Sequence, residues 1–252
     1  MILEENAGAI FTNENILRVD LDGQNDDPDK YDERLHKLIS SMDTVVVGVD
    51  PNVVEDEKSD ETGIVVAGRK GDKAYIFKDA SRRGKISDIY KEIVTLYYRY
   101  NATSVVVETN NGGDFIPAAI YNIDPMVVVE KVFASKGKRA RAEPIGLLYE
   151  RHKVYHVGIH MGLESQMTNY NPQVDKKSPD RLDALVWCLT KLFPASMRGL
   201  FSSSNTEDAY QPLSKQDKIT DLNSEVYSQN NELDNPYGLD TGSDINDDYS
   251  LI

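Results

Sequence analysis

Cysteine is nearly missing from this chain: Cys188 stands alone among 252 residues. One thiol cannot form an intrachain disulfide or a multi-cysteine zinc site, and it fits a reducing compartment. Long apolar runs are missing as well. No window reaches the roughly 18 apolar residues of a membrane span, and the start, MILEENAGAIFTNENILRVD, lacks the basic opening and apolar stretch of a secretory signal. These absences predict a soluble, intracellular protein with no membrane contact. Basic residues are the third shortage, 28 Lys and Arg against 42 Asp and Glu, for a formal net charge of −14. That balance argues against a nucleic-acid binder, whose phosphate contacts call for Lys and Arg.

The acidity is unevenly spread. After Gly199 a series of acids runs from Glu207 to Asp248 against only Lys215 and Lys218, and the stretch from Asp20 to Glu33 is also rich in Asp. The middle is closer to neutral and holds the one clearly basic run, Lys136-Gly-Lys138-Arg139-Ala-Arg141. The charge of the whole chain therefore misleads about its centre. With 40% hydrophobic residues the centre can build a real core.

Residues 1–43 read as a lead-in segment, polar through DLDGQNDDPDKYDE, with a short helix near Tyr31–Ser40. The Asp spacing there fails as a calcium loop, because Asn25 stands where Gly is needed and Tyr31 where Glu is needed. A domain over 44–198 begins with Thr44–Asp50, a buried-strand pattern, then Gly63–Ala67 and Ala74–Phe77, which predict an antiparallel meander. Apolar residues at helical spacing follow over Ile86–Tyr100, then a fourth strand, Ser104–Glu108. A helix near Asp114–Tyr121 leads to a fifth strand, Met126–Glu130, and this alternation predicts parallel pairing. Helices near Glu143–Arg151 and Pro179–Phe193, with Ser178 as cap of the latter, flank a short strand near Val154–Val157. The expected fold is α/β: a mixed five-stranded central sheet, its first three strands antiparallel and the rest parallel, flanked by helices. Residues 199–252 have the composition of a disordered acidic tail.

Asp50 and Glu108 each end a strand after a run of valines, so two carboxylates are expected at one edge of the sheet. Asp180 and Asp183 lie one turn apart on a helix with core-facing Ala184, Leu185, Val186, Trp187 and Leu189. Carboxylates gathered this closely repel one another unless cations stand between them. Hard oxygen donors select Mg²⁺ or Mn²⁺, and two such ions about 3.5–4 Å apart drive in-line phosphodiester displacement. The pattern predicts a divalent-metal nuclease.

Five segments carry a resemblance: VGVDP (47–51), DETGIVVAG (60–68), VVVETNNGGD (105–114), RAEPIGLLYERHKVYH (141–156) and SPDRLDALVWCL (178–189). Over roughly residues 9–193 they resemble the C-terminal nuclease domain of the large terminase subunit of tailed phages, within the RNase H-like superfamily. The last segment is also similar to the acidic helix of RNase H-fold junction resolvases. The resemblance implies an endonuclease that cuts concatemeric duplex DNA when packaging starts and when the head is full. It implies Asp50, Glu108 and Asp183 as catalytic metal ligands, with Asp180 as a fourth whose alternative role is that of an acid favoured by the helix dipole. It also implies a terminase ATPase domain, a small terminase subunit and a portal protein as partners in the host cytoplasm. The phosphate-binding loop GxxxxGK[ST] of the motor appears nowhere in the sequence. Either this chain is the nuclease half of a larger protein, or a separate polypeptide supplies the motor.

Lys136, Lys138, Arg139 and Arg141 form the best patch for a DNA backbone, and Asn110 and Asn111 beside Gly112 and Gly113 are candidates to hold a metal-bound water or a phosphate. The alternatives are a solvated loop and a plain strand-to-helix turn. His152, His156 and His160 recur every fourth residue, but Val154, Tyr155, Val157 and Gly158 between them predict a strand and turn, not a metal face. Two other functions stay open: a resolvase-like nuclease on the same fold, and a non-catalytic module docking the packaging motor.

Overall fold

The computed structural model describes residues 10–21, 28–51, 61–109, 115–134, 137–171, 173–175, 179–194 and 210–211. The chain divides into two units, Met1–Leu213 and Ser214–Ile252, and every described residue lies in the first. In chain order its elements are β1 (Leu17–Val19), α1 (Pro28–Ser40), β2 (Thr44–Asp50), β3 (Gly63–Lys70), β4 (Lys73–Asp79), α2 (Ile86–Arg99), β5 (Ser104–Glu108), α3 (Phe115–Ile123), β6 (Val129–Val132), α4 (Lys138–Glu150), β7 (Val154–Val157), α5 (Met161–Asn169), α6 (Asp180–Leu192) and β8 (Tyr210–Gln211). No helix among the described residues is long and apolar enough to cross a membrane.

The strands form one mixed sheet in the order β1-β7-β4-β3-β2-β5-β6-β8. β2, β3 and β4 are the expected antiparallel meander, and β5 and β6 add parallel to β2. The expected five strands are thus the central run, and the count needs correcting: β7 and β1 extend the sheet in parallel beyond β4, and the two-residue β8 pairs with β6. Pleating sends alternate residues to opposite faces. Val45, Val47 and Val49 pack with α1, α2 and α3, while Val46 and Val106 pack with α4, α5 and α6. Both faces are covered, which is why β2 and β5 read as continuous valine runs.

The reading of residues 1–43 as a lead-in outside the core is corrected by its apolar members. Phe11 is buried edge-on against Tyr149, with ring centroids 5.4 Å apart, and Ile16, Leu35 and Ile39 are buried too. A three-residue strand such as β1 offers no periodicity to detect. Two boundaries also moved. α4 starts at Lys138 instead of Glu143, because Pro144, a residue favoured in first turns, lies inside the helix. β6 starts three residues later than Met126, because the Asp124 side chain accepts a hydrogen bond from the Met126 N–H at 2.9 Å and prolongs the turn. At α6 the cap position falls to Pro179, and Ser178 lies outside the described residues.

A buried polar network ties β1, β7, α4 and α5 together. Arg18 donates twice to Glu164, at 2.5 and 2.9 Å, and Glu164 also accepts from His156 Nδ1 at 2.8 Å and from the His160 N–H at 3.1 Å. His156 Nε2 is then left to accept the Tyr149 hydroxyl at 2.9 Å. Burial alone would push the Glu164 carboxyl up, but these donors outweigh it and hold it at about 2. Burial pushes His156 below its ordinary value of 6.5, and His160 likewise. Both kinds of group bind fewer protons folded than unfolded, so each contributes stability that is lost on acidification. The histidines lose theirs as pH falls below 6.5, and Glu164 loses its share from 4.5 towards about 2. The urea midpoint is expected to fall between about pH 8 and about pH 5, before ordinary carboxylates protonate. A midpoint flat over that interval would contradict the neutral-histidine assignment.

Candidate functional site

The site lies where α6 crosses the ends of β2 and β5. α6 carries buried residues almost all round, namely Leu182 through Leu189 and Leu192, so it must be enclosed by the sheet and its neighbours. Each large apolar side chain buried this way contributes about 1.5–3 kcal/mol. That sum offsets the cost of carrying Asp183 inward, where it is only 4% exposed. Asp180 and Asp183 occupy the first turn, where the helix dipole favours a negative charge by about 0.3–1 kcal/mol.

Two glycines let the helix come so close. A Cβ at Gly48 would stand 2.5 Å from the Ala184 carbonyl oxygen and 2.6 Å from Cys188 Sγ, and a Cβ at Gly63 would overlap the Asp180 carbonyl. Glycine within a strand marks such an approach of backbone to backbone. Gly48 therefore faces α6, and by the two-residue repeat of the strand so does Asp50. Asp50 is also the residue paired with Gly63, directly beneath the first turn of α6. On the neighbouring parallel strand, Gly48 pairs with Val106 and Val49 with Val107, which places Glu108 beside Asp50 on the same face.

Glu108 and Asp183 converge on Arg141. Glu108 Oε2 accepts the Trp187 indole N–H at 2.8 Å and lies 3.4 Å from Arg141 Nη1, while Arg141 Nη2 lies 3.9 Å from Asp183 Oδ1. The guanidinium sits 4.8 Å from the centroid of the Trp187 ring, and its buried Nε has no hydrogen-bond partner. Opposite charges 4 Å apart attract by about 4 kcal/mol at a typical effective dielectric, and stripping one partner from a buried pair costs about 3–5 kcal/mol. The guanidinium places a positive charge within reach of both carboxylates.

Among the described residues no group of three or more His, Cys, Asp or Glu stands close enough to hold a metal ion. Glu108 and Asp183 face a guanidinium instead. The donor set is nonetheless of the hard-oxygen kind that takes Mg²⁺ or Mn²⁺, and Arg141 marks a point where two of its members already share one cation.

A second cluster braces the same corner. Arg181 donates to both Glu61 oxygens, at 2.7 and 2.6 Å, and to Asp79 Oδ2 at 2.6 Å, and its N–H donates to Gln166 Oε1 at 3.0 Å. This ties α6 and α5 to the starting end of β3 and the finishing end of β4. Arg181 lies within SPDRLDALVWCL, where nothing in the pattern marks its bracing role.

Of the expected DNA-contacting residues, Asn110, Asn111 and Lys136 lie outside the described residues, and so does the side chain of Lys138. Arg139 is exposed on α4 and pairs with Glu143 at 2.6 Å. Arg141 is 8% exposed and turned inward. It lies on the buried side of α4 with Ala142, Ile145, Leu148 and Tyr149. Cys188 is a core residue: it donates to the Val65 carbonyl at 3.2 Å, and burial pushes its thiol up to about 12. His156 belongs to the network described above, with no metal-facing geometry.

The model of the terminase RNaseH-like domain family matches residues 47–192. No curated protein matches the chain significantly. Similar solved structures include the large terminase nuclease from thermophilic phage G20c, 15% identical over 59% of this chain and 82% of that one, with a TM-score of 0.47. The large terminase from a second thermophilic bacteriophage is 13% identical over 60% of this chain and 41% of that one, with a TM-score of 0.48. Thermus thermophilus RuvC is 17% identical over 67% of this chain and 99% of that one, with a TM-score of 0.36.

Proposed function

The chain belongs to the terminase RNaseH-like domain family, and we propose that it is a divalent-metal-dependent endonuclease that hydrolyses concatemeric duplex DNA during phage genome packaging in the host cytoplasm. The observation that carries this reading is the convergence of Glu108 and Asp183 on one positive charge beside the ends of β2 and β5, with Asp50 on the same face. Asp50, Glu108 and Asp183 would hold two Mg²⁺ or Mn²⁺ ions, with Asp180 as a fourth ligand. Such ions supply an activated water and stabilise the leaving oxygen of an in-line displacement.

The chain's own residues do the rest. Trp187 holds the Glu108 carboxylate by its N–H in the metal-free chain, and the Arg181 cluster fixes the first turn of α6, hence the places of Asp180 and Asp183. Arg139 reaches a phosphate by leaving Glu143, an exposed pairing of a kind worth about 0.2–1 kcal/mol at most. Lys136, Lys138, Asn110 and Asn111 are the further residues that this reading assigns to DNA contact. The domain proper is taken as 44–198, now with a contribution from the residues before it. Residues 199–252, of which Tyr210 and Gln211 pair with β6 as β8, are taken as an acidic tail that moderates DNA contact through like-charge repulsion. The ATPase motor, small subunit and portal are the partners this reading calls for.

The test is cleavage of supercoiled plasmid by the purified chain with Mg²⁺, with Mn²⁺ and with chelator. Nicking and linearisation that require the metal are expected. A folded chain inert under every condition would shift the reading to a docking module of the packaging motor.

A further inference from the structure

Two arginines stand within one corner of the molecule and are held very differently. Arg181 grips Glu61 and Asp79 with contacts of 2.6 and 2.7 Å that engage Nε and both terminal nitrogens. Arg141 stands 3.4 and 3.9 Å from its carboxylates, and its buried Nε is unpartnered. An arginine placed only to stabilise a fold engages its donors at charge-assisted lengths of about 2.7–2.9 Å. The Arg181 cluster meets that description and Arg141 does not. Arg141 is instead held by its ring contact, 4.8 Å over Trp187, and faces the carboxylates with one long hydrogen bond to Glu108 and an ion pair at 3.9 Å to Asp183. Glu108 is the nearer of the two partners, and Arg141 and the Trp187 N–H both fall on its Oε2.

We propose that Arg141 is the resident counter-cation of this site: in the metal-free chain its guanidinium, stacked on Trp187, keeps Glu108 beside Asp183, and an entering divalent cation takes Glu108 away from it. The proposal rests on the metal-dependent reading above and gives Arg141 a role in it. Arg141 faces a buried carboxylate pair without metal, and it competes with the metal for the same carboxylate. It is a positioning residue, acting through Glu108. Trp187 is the only tryptophan in the chain, so its emission reports the exchange directly: its N–H loses the Glu108 carboxylate when the ligand swings to the metal.

The experiment adds Mg²⁺ to the chelator-stripped full chain and follows tryptophan emission together with calorimetry. A saturating emission change is expected in the wild type. Arg141→Gln, its fold checked by circular dichroism, is expected to bind Mg²⁺ about tenfold more tightly, the scale of one charge-assisted hydrogen bond removed from the competition. Trp187→Phe keeps a ring under the guanidinium but removes the N–H, and calorimetry is expected to show the same direction of change. Unchanged or weaker Mg²⁺ affinity in a folded Arg141→Gln chain overturns the counter-cation role. Should that variant fail to fold, unchanged or weaker affinity in Trp187→Phe overturns it instead. A wild-type chain that binds no Mg²⁺ in calorimetry sinks the metal-dependent reading as well, whereas binding that Arg141→Gln leaves unaltered sinks only the role of Arg141.

Discussion

Asp183→Asn is expected to leave a folded chain that cuts plasmid DNA at least about a hundredfold more slowly, since even outer partners of metal ligands cost about 10–100-fold when lost. The substitution keeps the shape of the side chain and removes its charge. Asp183 is 4% exposed on a helix clamped by its neighbours, so no other acid can swing into its place. Asp50→Asn is expected to act alike, because Asp50 is fixed by the pairing of β2 with β3. Initial rates of supercoil loss at saturating Mn²⁺, beside circular dichroism of each variant, make the measurement. Asp183→Asn cutting at close to the wild-type rate would remove that carboxylate from the chemistry.

Gly63→Ala is expected to be the most damaging single-methyl change near the site. The added carbon would overlap the Asp180 carbonyl and come within 3.2 Å of Ala184 Cβ. α6 cannot retreat freely, because Leu182, Leu185 and Leu189 are fully buried beneath it. Overpacking of this kind costs about 1–3 kcal/mol, and more where the obstacle is backbone. A displacement of about 1 Å in the first turn of α6 also costs about 10²-fold in rate by disturbing reactive geometry. The urea midpoint and the cleavage rate should therefore fall together. A variant with the wild-type midpoint and rate would mean that the close approach of α6 to β3 positions nothing.

What could be read from the sequence was whatever repeats or ends abruptly. The valine runs of β2 and β5 stop at Asp50 and Glu108, so the carboxylate-bearing edge was legible from hydrophobicity alone. α2 was legible from Ile89, Ile93 and Leu96, and β7 from four residues between turns. Partners brought together by packing were not legible. Nothing local says that Arg141 faces inward, because an arginine after Lys136, Lys138 and Arg139 reads as one more exposed cation until α4 is known to start before Pro144. The Trp187 N–H to Glu108 bond spans 79 residues and leaves no trace in spacing. Gly48 and Gly63 did carry a signal, as glycines inside strands, and that signal points to a crossing helix once α6 is placed.

The edge strand β1 has a consequence for how the chain folds. Its parallel partner β7 lies far along the sequence, and the Arg18 and Glu164 that fasten the two are 146 residues apart. Contacts of such long range form late, because the chain between them must first be ordered. During synthesis residues 10–19 therefore wait until almost the whole domain has emerged, and the edge of β4 that β7 later covers stays open in the meantime. An open strand edge is a template for pairing with other chains. The short N-terminal strand thus acts as a closing stitch, and a shortened chain that begins after Val19 would be born with an aggregation-prone border even though its carboxylates are all in place.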